Sequence, residues 1–76
     1  MMIYKANQLN QNMQMLGFVG AIVCEQGYLH DSKMIDLLGS AFNGDTPAII
    51  KGQKFLVAAM EKSEFYGTVL FGLKAA

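Results

Sequence analysis

The sequence predicts an all-α fold, a compact bundle of about four short helices, spanning residues 1–76 as one domain and assembling into a homo-oligomer. Three observations point there. Apolar residues of the first segment recur at alternating three- and four-residue spacing, the signature of one helix face. Helix-start chemistry follows two of the breaks in the chain, at His30-Asp31-Ser32 and at Asp45-Thr46-Pro47. And 53% hydrophobic against 16% charged residues leaves too little polar side chain to wrap so small a body.

Gly27, Asn43-Gly44 and Lys62-Ser63 divide the chain into four segments. In the first, Ala6, Leu9, Met13, Leu16, Gly20 and Val23 form a heptad-like stripe. Amides from Asn7 to Gln14 fill its other faces, a solvated surface, whereas Phe18, Val19, Ala21 and Ile22 make the second half apolar all round. A helix without a polar face is enclosed on several sides, so this half is expected in the core or in an oligomer seam. Ser32 to Phe42 is the clearest helix, with Met34, Ile35, Leu37, Leu38, Ala41 and Phe42 on one side and Lys33, Asp36 and Ser40 on the other. Pro47 to Lys62 reads as a third helix, Ile49, Ile50, Leu56, Val57 and Met60 inward and Lys51, Lys54, Glu61 and Lys62 outward, with Gly52 as a bend or close contact. Glu64 to Ala75 reads as a helix capped by Ser63, or equally as a strand carrying Phe65, Val69, Phe71 and Leu73 on one face. The strand reading implies an alternative α+β fold with strands near 17–24 and 65–73 paired to one another.

A chain of this length is marginally stable alone and usually needs a disulfide, a metal or a partner. Cys24 is the only cysteine and His30 the only histidine, so an internal disulfide is impossible and no metal or cofactor is expected. Oligomerisation is the stabiliser left. Six lysines balance six carboxylates, with no arginine, which argues against nucleic acid as a partner. The apolar run from Met15 to Cys24 has about half the length of a membrane span and follows amides rather than a basic segment. No membrane segment or signal peptide is expected, and the solitary thiol suits the cytoplasm.

Candidate chemistry is sparse. His30, Asp31 and Ser32 are consecutive and so do not converge on one reacting atom, which makes them a helix cap rather than a triad. Cys24 with His30 could form a nucleophile and base only across a turn at Gly27, and Cys24 ends an apolar run that favours a buried thiol. No two carboxylates are spaced for acid–base work. No catalytic residues are therefore assigned. Gly17-Phe18-Val19-Gly20 lacks the lysine and the spacing of a phosphate loop. An anion site is conceivable at the helix start after Asp45-Thr46-Pro47, using Thr46, Lys51, Lys54 and, from the tail, Tyr66.

The expectation is a small non-catalytic interaction protein, of regulator or inhibitor type, that binds itself and another protein. Its size and its Asn/Gln/Met bias are compatible with an accessory protein of a phage or mobile element. The interface residues assigned are Leu16, Phe18, Val19, Ile22, Val23, Phe65, Val69 and Phe71. The alternative is a protein that binds or sequesters an anionic, nucleotide-like ligand between protomers.

Overall fold

β-branched and aromatic residues are concentrated in Gly20–Glu25 and Thr68–Ala75, and in a computed structural model, which describes residues 1–76, these two stretches pair antiparallel at the centre of a sheet. Around them stand Met2–Lys5 on one side and Gln53–Ser63 then Ala48–Ile50 on the other. Numbered along the chain, the strands are β1 (Met2–Lys5), β2 (Gly20–Glu25), β3 (Ala48–Ile50), β4 (Gln53–Ser63) and β5 (Thr68–Ala75). Their spatial order is β1-β2-β5-β4-β3, antiparallel throughout. The sheet curls into a half-barrel. A 3-10 turn at Ala6–Gln8 and the short helix α1 (Gln11–Met15) link β1 to β2, and the long helix α2 (Leu29–Gly44) links β2 to β3.

Register decides which side chains meet. Ile22 lies opposite Phe71, Cys24 opposite Val69, and Gly20 opposite Leu73. From β4, Val57 pairs with Leu73 and Met60 with Phe71. These residues line the concave side, where α2 lays Leu38 and Ala41 on them, with Met34 and Ile35 packed alongside. Ile22, Cys24, Leu38, Val69 and Phe71 are wholly enclosed. Burying each of the larger ones stabilises the fold by about 1.5–3 kcal/mol. The helix ends where Asp45 turns left-handed at φ 53° and its N–H donates to the Ala41 carbonyl; Pro47 then prevents continuation.

The architecture is therefore α+β, and the all-α bundle is overturned. Of the first predicted helix only Gln11–Met15 is α-helical, with a 3-10 turn at Ala6–Gln8 before it, because Gly17, at φ 91°, breaks the chain and the following apolar run enters the sheet. Being buried on both faces, β2 has no polar side to alternate with. The third predicted helix is instead β3, a two-residue turn and β4: Lys51 and Gly52 both have positive φ, 51° and 78°, the mark of a type I′ hairpin turn. The fourth is β5, preceded by a turn over Glu64–Gly67. The strands that the alternative reading placed near 17–24 and 65–73 lie at Gly20–Glu25 and Thr68–Ala75 and do pair, within a sheet of five. The helix expected over Ser32–Phe42 extends three residues earlier and two later. None of the helices is long and apolar enough to cross a membrane.

On the convex side Phe18 folds back over the sheet. Its ring occupies the space beside Gly72, where an added Cβ would sit only 2.5 Å from the ring edge, and the Lys74 ammonium lies 5.0 Å from the ring centre.

Candidate functional site

Helix α2 covers only part of the half-barrel. Next to it the concave side is left as an open groove of about 600 Å³. Ile22, Gly20 and Leu73 lie enclosed beneath it, and Ile3, Ile50 and Phe55 make the apolar walls. Gly20 keeps the floor low because a glycine in a strand leaves its side-chain position empty; there a Cβ would meet the Tyr4 carbonyl at 3.1 Å and Leu73 Cδ1 at 3.8 Å. Lys5, Lys51 and Lys54 also line the groove, and no Asp or Glu does. Lys5 stands in register with Gly20 on the concave side, and Lys51 occupies the β3–β4 turn. Lys54 is in register with Ile49, which places it at the rim rather than on the floor.

On the convex side a shallower depression of about 360 Å³ runs along Val23, Leu70 and Thr68, bordered by Glu61, Lys62, Ser63 and Tyr66. No helix covers this face at that end. Beyond it the molecule carries an apolar tip, where Phe65 and Tyr66 of the β4–β5 turn are 89% and 76% exposed and stack edge to face at 4.9 Å. The neighbouring β2–α2 turn, tied on by a hydrogen bond from the Gln26 N–H to the Gly67 carbonyl, adds Tyr28 and Leu29.

A third feature is the Asp31 carboxylate, 2% exposed. It was expected to cap its own helix. Instead it lies in the first turn of α2, accepts a 2.8 Å hydrogen bond from the Glu25 N–H at the end of β2, and pairs with the Met1 ammonium at 3.2 Å. The Glu25 bond is the main cause that holds its pKa below the ordinary carboxylate value; burial opposes it, and the ammonium adds to the lowering. Cys24 is shut beneath α2. Burial, and then the Asp31 charge, push its thiol up, away from the thiolate a nucleophile requires. His30 is exposed and stacks on Tyr28 at 5.6 Å.

The residues singled out in the sequence are dispersed. Lys51 and Lys54 meet at the concave groove, Tyr66 borders the convex depression, and Thr46 lines neither. The helix start expected beyond Pro47 does not exist, since β3 begins at Ala48. Among the assigned interface residues, Ile22, Val69 and Phe71 are enclosed in the chain's own core and offer no surface to a partner. Leu16, Val19 and Phe65 are exposed, and Val23 and Phe18 half-buried on the convex side. Sequence reasoning missed Ile3, Lys5, Phe55 and Leu73 as neighbours. The available signal was Lys51-Gly52 between Ile49-Ile50 and the run Phe55-Leu56-Val57, a turn between two strand-like stretches.

Protein-family models, curated proteins and solved structures were compared with the chain, and none matches it.

Proposed function

We propose that the protein is a non-catalytic interaction protein that associates with a second copy of itself through the convex side of its sheet and presents the Phe65–Tyr66 tip to another protein. The observation that carries this reading is the distribution of apolar residues: fourteen large ones are exposed, against eleven hydrophobic residues buried. So much exposed apolar side chain on a small chain favours association, and exposed aromatics such as Phe65 and Tyr66 bury large area at low entropic cost. A two-fold interface must be self-complementary, and the convex depression meets that requirement with Val23 and Leu70 at its centre and opposite charges, Glu61 and Lys62, side by side at its border. A solitary, buried thiol at Cys24 suits a reducing compartment such as the cytoplasm.

Sedimentation velocity or light scattering at micromolar concentration tests the proposal. The expected result is a dimer that dissociates on dilution, and that Leu70→Lys converts to a folded monomer with unchanged circular dichroism. A wild-type chain that remains monomeric throughout that range would falsify it. Phe65→Ser leaves the dimer intact on this reading, because the tip is reserved for a different partner.

A further inference from the structure

We propose that the concave groove is a binding site for a free fatty carboxylate, its alkyl tail lying against Ile3, Ile50 and Phe55 and its head group held by the lysines of its rim, Lys5 and Lys51. The site is on the opposite side of the sheet from the self-association surface, so the two proposals stand or fall separately.

Shape and polarity select the tail. The groove's volume, about 600 Å³, falls within the usual range of small-molecule sites. Ile3, Val19 and Ile50 give it aliphatic walls, with Phe55 the one aromatic ring among the core-side residues. Tyr4 also borders it, yet its hydroxyl is directed at Met2 Sδ, 3.5 Å away. Gln53 is the remaining neutral polar side chain. A nucleobase needs stacking planes and several hydrogen-bonding groups; a methylene chain needs neither, and each methylene removed from water contributes independently.

Charge selects the head group. The protein is neutral overall, but three of its six lysines line this one groove with no acidic side chain among them. The asymmetry is local, so it acts on a ligand already in the groove rather than steering from a distance. A carboxylate at the end of an apolar tail supplies a counter-charge to this cationic rim, to which β1 contributes Lys5 and the β3–β4 turn Lys51. A neutral amphiphile of equal length would forgo that attraction.

Isothermal titration calorimetry of the full chain with decanoate, below its micelle concentration, tests this against three controls: decanol, inorganic phosphate, and sedimentation with anionic phospholipid vesicles. Decanoate is expected to bind one per chain and to weaken with rising salt. Decanol is expected to bind about tenfold more weakly, as are decanoate complexes of the Lys5→Gln, Lys51→Asn double variant, given the modest strength of partly exposed ion pairs. Gly20→Leu, which builds a side chain into the floor, is expected to abolish binding. Both lysines lie at the surface, so the double variant keeps its fold by circular dichroism and remains decisive even where Gly20→Leu does not fold. Equal affinity for decanoate and decanol, an unaltered affinity in the double variant, binding of phosphate alone, or capture by vesicles without uptake of the free acid would each overturn the proposal.

Discussion

At Gly72 the lack of a side chain lets two layers touch. An added Cβ would meet the Phe18 ring at 2.5 Å and Ala59 Cβ at 3.2 Å. The ring is the movable neighbour, because Phe18 is half-exposed on a loop while Ala59 belongs to the sheet. Gly72→Ala is therefore expected to destabilise the protein by about 1–3 kcal/mol in urea unfolding, the usual cost of overpacking. In a Phe18→Ala background the cost should fall well below that, and a double-mutant cycle measures the difference. Asp31 makes a second prediction. Its pKa is depressed in the folded state, so its contribution is complete above the ordinary carboxylate value and is lost as pH falls through that value and then through the lower, folded one. Thermal unfolding followed from neutral to acid pH should show a steeper acid loss in the native chain than in Asp31→Asn, which cannot titrate. The polar character of Asp31 was plain in the sequence, but its bonding partners were not, since they come from β2 and from Met1 rather than from its own helix.

The β3–β4 hairpin shows why an element can be misread. In β4 the concave residues are Phe55, Val57 and Met60, two apart and then three, because a bulge at Ala58 interrupts the pairing between Val57 and Ala59. That extra residue turns a strand's alternation into spacing that resembles a helix, and with Ile49 and Ile50 ahead of it the pattern favoured the wrong period. Helix α2 was legible because its stripe is uninterrupted and its end is marked by Gly44, Asp45 and Pro47. Of the concave groove only Lys51 and Lys54 were legible, as it is assembled from all five strands and no local pattern encodes how β1, β2 and β5 pair. The hairpin turn supplies its own prediction. Positive φ at Lys51 suits asparagine, and Asn-Gly is the preferred type I′ pair, so Lys51→Asn should raise stability by about 0.5 kcal/mol. Gly52→Ala should lower it by about 1 kcal/mol or more, the strain of a Cβ at φ 78°. Thermal midpoints of the two variants are expected to lie on opposite sides of the parent.

For the molecule as a whole, the central pairing joins residues 20–25 to residues 68–73, so nearly fifty residues must be ordered or looped before the core strands meet. Such non-local topology folds on the order of milliseconds to seconds, whereas a small helical bundle folds in microseconds to milliseconds. Stopped-flow refolding should give a resolvable phase, and Phe71→Ala, which removes the centre of the core, should slow it while costing about 3–5 kcal/mol. The excess of apolar residues noted in the composition survives at this scale as exposed surface, and of the interface residues the helical reading selected Leu16, Val19 and Phe65 are among those that carry it. Ile22, Val69 and Phe71 went inward because strand register put them under α2, and Leu29, Ile49 and Tyr66 stayed outside.

Cys24 gives the chain a built-in clock. Its sulfur is sealed between the sheet and the helix, so an alkylating reagent reaches it only during the moments when those layers part. With a reagent that reacts faster than the layers close, the rate of labelling times the lifting of α2, with no engineered probe.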